Sequence, residues 1–310
     1  MGQMFGDDQP VAINLLDIEF AVKGLNGLVM ELEDCVYPLL VDVVATTKPE
    51  EGFRDCDYCV MCGAFPRKQG MERKDLLAKN AGIFREQGSA VAANAKKSVK
   101  CLVVGNPANT NAMLLQQFGN LNVRNVAALT RLDMNRANNM IARKVGVPVA
   151  NVKNVIIWGN HSSTQFPDAT HATVTKQDGS EQPAPQAVND DEFLKGAFVS
   201  DVQQRGAKVI ETRGASSATS AARAIVDCVR DWHLGTAPGK HVSMAVWSTG
   251  NTYGIANDIF YSFPVTIANG EWKVVEGLQI SDSARANMEK TQNELVEEKA
   301  LALEVTGGTN

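Results

Sequence analysis

The sequence is poor in the features that define several protein classes. No apolar run approaches the ~18 residues of a membrane-spanning helix. The first ten residues, MGQMFGDDQP, have no basic stretch leading into an apolar one, as a secretory signal would. Positive charge is not in excess, since 30 Lys and Arg stand against 35 Asp and Glu for a formal charge of −5. That balance argues against sequence-independent binding to phosphate backbones. Internal repeats and low-complexity segments are missing. With 44% hydrophobic and 21% charged residues, the chain is neither disorder-prone nor collagen-like. A soluble, intracellular protein is expected. At about 150 residues per domain, 310 residues leave room for two domains or one large one.

Cysteine is sparse and scattered: Cys35, Cys56, Cys59, Cys62, Cys101 and Cys228. These do not form the dense framework of a small disulfide-stapled domain. Three of them read C-x-x-C-x-x-C from Cys56 to Cys62, a spacing that can wrap a metal. No fourth ligand follows in a matching motif. The run from Asp57 to Phe65 (DYCVMCGAF) reads instead as a buried strand, on which thiols alternate between faces and pack as small hydrophobes. No metal is expected, and a reducing compartment suits all six thiols.

Strand-like and helical segments alternate through the first half. Val11 to Ile18, Val41 to Thr46, the Cys-rich run, Lys100 to Gly105 and Val123 to Leu129 read as strands. Leu25 to Cys35, about Lys74 to Lys97, and Asn109 to Phe118 have helical spacing. Such alternation implies βαβ units, and strands that lack polar alternation are buried on both faces. After Thr130 the pattern changes. A helix from Asp133 to Val145 precedes a strand from Asn154 to Trp158. The stretch Ser180 to Asp191 is polar, carries two prolines and reads as a loop. Ser216 to Trp232 is a long helix with Gly235 as its stop. Val242 to Ile280 carries strands separated by Gly and Asn, the pattern of antiparallel hairpins. Met288 to Val305 is a charged, amphipathic final helix.

Histidine is scarce too, with only His161, His171, His233 and His241. His161 stands out in Trp158–Gly159–Asn160–His161, where a buried strand runs into a glycine turn. An imidazole there suits proton transfer near neutral pH. In Thr130–Arg136 (TRLDMNR), Asp133 and Arg136 are spaced i, i+3 and share a helix face. An Asp can orient a His, and an Arg offers a planar fork for a carboxylate. Pro66–Arg73 (PRKQGMER) is a basic, Gly- and Pro-containing loop after a strand, placed to close over an anion. Val103–Asn109 (VVGNPAN) ends another strand in a polar turn, where Asn106 can hydrogen-bond a ligand. Alone, each has an ordinary explanation: a structural histidine, a surface ion pair, a solvated loop, a strand-to-helix turn.

Together and in this order, these segments resemble the NAD-dependent malate dehydrogenases, most of all the cytosolic type, which share the lactate/malate dehydrogenase fold. GAFPRKQGMERKDLL, VVGNPANTN, LTRLDMNRA and VIIWGNHSSTQFPD carry the likeness, and SSATSAARAI, SFPV and VEGLQI extend it along the chain. The resemblance implies an α/β fold: a doubly wound, Rossmann-like NAD domain over residues 1–129 and an α+β catalytic domain over 130–310. It implies a cytoplasmic, homodimeric oxidoreductase of the tricarboxylic acid cycle that moves hydride between malate and NAD, with neither nucleic acid nor membrane as partner. By the same resemblance His161 is the acid/base, Asp133 its carboxylate partner, and Arg136 the fork for the C1 carboxylate. Arg67 pairs with the distal carboxylate, Arg73 polarises the carbonyl, and Asn106 touches both substrate and cofactor. Asp17 takes the adenosine ribose hydroxyls, which favours NAD over a 2′-phosphorylated cofactor. Gly63, Asn80, Gln87, Val104 and Gly105 resemble further cofactor contacts, and Ser217 a pocket-lining position. Two other readings remain at this point: a lactate or other 2-hydroxy-acid dehydrogenase, and a catalytically impaired relative that acts by binding or dimerisation.

The chain departs from the family in one respect. It contains no G-x-G, the turn that brings a pyrophosphate against a helix N-terminus. The ribose acid normally follows that turn by ~20 residues, and only 16 residues precede Asp17. The expectation is therefore that a first strand and its glycine-rich turn would lie before residue 1. Without them, the neighbouring strands would have free edges.

Overall fold

The structure, a computed structural model, describes residues 2–66 and 71–307. Strand β1 (Val11–Leu16) leads through helix α1 (Val22–Asp34) to β2 (Leu40–Thr46), and the two strands pair in parallel from Val11↔Leu40 to Leu16↔Thr46. A single-turn helix α2 (Pro49–Gly52) follows, then β3 (Tyr58–Met61), α3 (Arg73–Asn94), β4 (Lys100–Val103), α4 (Ala108–Gly119) and β5 (Val126–Ala128). Strands β3, β4 and β5 are parallel neighbours. The expected α/β class is borne out, with parallel strands and intervening helices.

Side chains along β4 and β5 alternate between two cores. Leu102 and Ala127 enter one, while Cys101, Val103, Val126 and Ala128 enter the other. Both faces of the sheet are thus covered, and that is why these strands read as continuous apolar runs. Phe84, Leu114 and Leu115 are fully buried on the helix-covered face, each stabilising the fold by about 1.5–3 kcal/mol.

Two strand readings need correction. The run from Val11 to Ile18 is not a buried strand. Strand β1 stops at Leu16 and buries none of its residues, because among the described residues it belongs to a two-stranded pair whose faces are left partly open. Beyond it Ile18 and Phe20 are exposed. The Cys-rich strand is also shorter than expected. The N–H groups of Val104 and Gly105 both turn onto the carbonyl of Met61, at 3.0 Å each, and this ends the β3–β4 ladder. Only Cys59 of the C-x-x-C-x-x-C run therefore lies in the strand, with Cys62 exposed beyond it. Among the described residues no three His, Cys, Asp or Glu side chains are placed to hold a metal.

The second half begins with α5 (Arg131–Val145), followed by β6 (Val152–Lys153), β7 (Ile156–Trp158), β8 (Phe166–Asp168), β9 (Thr173–Thr175) and β10 (Glu181–Pro183). Helices α6 (Ala184–Val188), α7 (Asp191–Lys195), α8 (Ala197–Arg213) and α9 (Thr219–Leu234) come next. The expected loop from Ser180 to Asp191 is instead β10 and α6. Its two prolines end the strand and open the helix, positions where a missing N–H costs nothing. Helix α8 escaped the sequence reading because only Phe198 and Val202 of its 17 residues are buried. Gly235, in a positive-φ conformation, ends α9 as expected.

Strands β11 (Val242–Trp247), β12 (Phe260–Ala268) and β13 (Glu271–Val274) are antiparallel. Asn269 and Gly270 both take positive φ to close the β12–β13 hairpin. Strand β11 meets β5 at Ala245↔Ala128, giving a six-stranded sheet of order β13-β12-β11-β5-β4-β3. The pair β1-β2 stands outside that sheet. Among the described residues the parallel strands thus fall into two groups, β1-β2 and β5-β4-β3. Contact with α2 fastens the outer pair. A Cβ on Gly52 would lie 2.9 Å from that of Leu16, and Asn14 donates to the Gly52 carbonyl at 3.1 Å. The last helix, α10 (Asp282–Thr306), starts earlier than expected because Ser281 caps it, its Oγ accepting from the N–H of Ala284.

Candidate active site

The first turn of α5 lies beyond the carboxyl end of β5, and the loop after β7 faces it. This places His161 against Asp133, with imidazole Nδ1 2.5 Å from Oδ2. Asp133 is fully buried, and its other oxygen accepts from Arg136 Nη1 at 3.1 Å. Arg136 Nη2 donates to Ser217 Oγ at 3.2 Å, just ahead of α9. Four of the expected residues therefore form one connected cluster. Burial disfavours the imidazolium, but the charge and hydrogen bond of Asp133 outweigh it and hold the His161 pKa above its ordinary value. Burial likewise opposes ionisation of Asp133, yet His161 and Arg136 keep its pKa below the usual range. With Nδ1–H donated to a carboxylate, Nε2 is the nitrogen free to exchange a proton with a ligand.

Several supporting residues were not singled out from the sequence. Buried Asn109, in the first turn of α4, accepts the His161 N–H at 3.0 Å and donates to the carbonyls of Gly159 and Phe260. Buried Gln165 donates to the Ser162 carbonyl at 3.0 Å and helps to favour the ionised form of Asp133. Gly159 has a φ of +94°, and a Cβ there would lie 2.0 Å from Thr291 Cγ2, so only glycine fits. Apart from the bond between Gln165 and Ser162, these contacts join residues far apart in the chain and leave no local pattern. The Asn in PANTN and the Gly in WGNH were visible as letters, but their partners were not.

The arginines divide. Arg136 is in the cluster. Arg73, the first residue of α3, reaches α10, where Nη2 donates to Glu294 Oε1 at 3.1 Å and to Glu298. Arg67 lies outside the described residues.

The remaining expected residues sit near the carboxyl ends of β1, β3 and β4. Asp17 is exposed just after β1, and its own Oδ1 accepts the Ile18 N–H at 2.8 Å. Its N–H reaches the carbonyl of Thr46, which helps line a depression of about 240 Å³ with Val22, Leu25, Asn26, Ala45 and Thr47. Gly63 follows β3, and Gln87 Nε2 lies 3.8 Å from the place a Gly63 Cβ would take. Gln87 Oε1 is buried with no partner among the described residues. Gly105 tolerates no side chain, since a Cβ would come within 2.6 Å of that of Ala64. Asn106 is exposed in the following turn, before a cis bond to Pro107. Asn80 is fully buried and turned to internal use: Oδ1 accepts the Phe65 N–H at 2.8 Å, and Nδ2 donates to the carbonyls of Leu76 and Phe65.

Known proteins resemble the chain over nearly its whole length. Residues 1–128 match the NAD binding domain of lactate/malate dehydrogenases, and residues 130–306 match their alpha/beta C-terminal domain. The cytoplasmic malate dehydrogenase of Rattus norvegicus is 54% identical over 304 residues, covering 98% of this chain and 91% of the rat protein. That of Medicago sativa is 53% identical over 302 residues, covering 97% and 90%. Among solved structures, a malate dehydrogenase from Naegleria fowleri superposes with a TM-score of 0.91 at 40% identity, over 98% of this chain and 91% of that one. A lactate dehydrogenase from Trichomonas vaginalis, in complex with NADH and oxamate, gives 0.93 at 38% identity, over 99% and 92%.

Proposed function

The chain belongs to the lactate/malate dehydrogenase family, and from that premise we propose that His161, Asp133 and Arg136 carry its chemistry. The protein is an NAD-dependent malate dehydrogenase, interconverting (S)-malate and oxaloacetate. The observation behind the site reading is the His161–Asp133–Arg136 cluster, in which one fully buried carboxylate joins a proton donor to a carboxylate-binding fork.

The residues present fit a dinucleotide. Asp17 offers an exposed carboxylate beside a depression, suited to a ribose diol and its base. Gln87 holds out an unpartnered carboxamide oxygen near Gly63, and Gly105 keeps the turn after β4 free of a side chain. When bound, NADH supplies the hydride that reaches the carbonyl carbon.

In the reducing direction His161 begins protonated. It delivers its Nε2 proton to the carbonyl oxygen while Asp133 holds Nδ1–H and stabilises the ring's charge. Arg136 pairs with the C1 carboxylate through the N–H donors not engaged with Asp133 and Ser217. Arg73 and Arg67 serve the carbonyl oxygen and the distal carboxylate. A dianionic substrate thus meets three guanidinium groups and one imidazolium. In the oxidising direction His161 begins neutral and accepts the hydroxyl proton.

Structural relatives include both malate and lactate dehydrogenases, so the general acid/base cluster does not choose the substrate. Arg67 supports oxaloacetate over pyruvate, because a methyl group would leave that charge unpaired. The reading also divides the chain at residues 129 and 130. It takes the chain for a cytoplasmic homodimer, with α1, which exposes Leu28 and Met30, as a contact surface. Among the described residues no helix is long and apolar enough to cross a membrane. The test is oxidation of NADH by this chain with oxaloacetate or pyruvate in turn. Oxaloacetate should be strongly preferred, and equal use of pyruvate refutes the choice.

A further inference from the structure

We propose that one face of α10 is a positioning element for catalysis, with Glu294 as the joint between the His161 loop and Arg73. This rests on the roles assigned above to those two residues. Thr291, Glu294 and Glu298 are spaced i, i+3 and i+7, so they line one side of the helix. Thr291 Oγ1 accepts the Asn160 N–H at 2.9 Å and lies 2.9 Å from Thr164 Oγ1. Glu294 Oε2 accepts from Asn160 Nδ2 at 2.9 Å, Ser162 Oγ at 2.5 Å and Thr164 Oγ1 at 2.6 Å. These residues flank His161 on both sides. Asp133 holds the imidazole ring, and α10 holds the loop that carries it.

The other oxygen of Glu294 takes Arg73 Nη2 at 3.1 Å. One carboxylate therefore spans the proton donor's loop and the arginine assigned to the carbonyl. An apolar contact could pin the loop, but it could not also orient a guanidinium. Glu298, nearly buried and bonded by Thr110, takes the same Nη2. Burial works against ionisation of Glu294, but its hydroxyl and amide donors, with Arg73, keep its carboxyl below the usual range. Two carboxylates against one guanidinium leave a formal charge of −1. That charge suits holding an arginine and would repel a substrate carboxylate. The three N–H donors on Nε and Nη1 of Arg73 lie outside these two bonds and can serve a ligand.

The cost of losing such a joint is misplacement, and a shift of about 1 Å can cost ~100-fold in rate. Glu294→Ala should lower kcat with oxaloacetate by roughly 10- to 100-fold, with the KM for NADH within about twofold of wild type. Glu294→Gln should restore most of that loss. Its amide oxygen can still accept from Arg73, and its NH₂ can donate to the hydroxyls of Ser162 and Thr164 once they turn to accept, with only the bond from Asn160 Nδ2 lost. Thr291→Val should lower kcat through the loop alone. A second readout needs no turnover: the rate at which phenylglyoxal modifies Arg73, mapped by mass spectrometry. It should rise in Glu294→Ala and stay unchanged in Thr291→Val. The proposal is overturned if Glu294→Ala keeps kcat and KM within twofold. It is equally overturned if activity falls only with the folded fraction while Arg73 reactivity is unaltered. If the wild-type chain does not oxidise NADH with oxaloacetate, the functional reading fails, and Arg73 reactivity still decides whether α10 positions it.

Discussion

Replacing Asp133 by Asn tests the centre of the site. The carboxylate is fully buried and 2.5 Å from His161 Nδ1. Unit charges about 4 Å apart attract by about 4 kcal/mol at an effective dielectric constant near 20. That attraction favours the imidazolium, so its loss should lower the His161 pKa. The sign follows from the environment. In the wild type Asp133 overcomes burial and keeps the His161 pKa above its ordinary value. In the variant, burial and Arg136 both act to lower it, with no carboxylate opposing them. Asn also offers one acceptor oxygen to two donors, His161 Nδ1–H and Arg136 Nη1–H, so one of them loses its partner. Oxaloacetate reduction needs the imidazolium. Its kcat/KM should therefore decline with rising pH only above ~6.5 in the wild type, and already below ~6.5 in the variant. At neutral pH the variant should be slower by roughly 10²- to 10⁴-fold. The assay is NADH oxidation across pH, with NMR titration of the His161 ring as a direct check. A variant whose limb stays at or above the wild-type position would refute the reasoning.

Other expectations are simpler to read. His161→Asn should abolish turnover and leave the circular dichroism spectrum unchanged; appreciable residual activity at neutral pH would assign the proton to another group. Arg67→Gln should shift the ratio of kcat/KM values from oxaloacetate toward pyruvate, and an unchanged ratio would remove Arg67 from the specificity reading. Gly159→Ala puts a Cβ 2.0 Å from Thr291 at a φ of +94°, and should cost about 2–4 kcal/mol in urea unfolding through overpacking and backbone strain. A loss below about 0.5 kcal/mol, the size of a neutral surface change, would mean that the loop and α10 move apart freely.

Much of the architecture was legible as local pattern. The continuous apolar runs of β4 and β5 predict strands covered on both faces, and the alternation of Leu102 and Ala127 with Cys101 and Val126 between two cores explains why. The helical spacing of α3, α4, α5 and α9 survived within a few residues. Errors came where local pattern and neighbours disagree. Strand β1 has the letters of a buried strand, but burial needs cover over the faces of a sheet, and among the described residues β1 belongs to a two-stranded pair that leaves its side chains partly open. Strand β10 and helix α6 have the letters of a loop, but Ala184 and Val188 found core to enter.

The same division runs through the site. Residue types and their order along the chain identified His161, Asp133 and Arg136 as candidates, because proton transfer and carboxylate binding need those side chains. The i, i+3 spacing of the last two already set them on one helix face. That His161 and Asp133 meet, that Asn109 clamps the loop from α4, and that Glu294 bridges it to Arg73 are consequences of packing. Asp133 and His161 are 28 residues apart, and Glu294 and Ser162 are 132 apart. Spacing along a chain constrains directions over a turn or two of helix or a few residues of strand. Beyond that reach, contacts depend on how the elements close around a shared core, so a final helix read only as charged and amphipathic became part of the site.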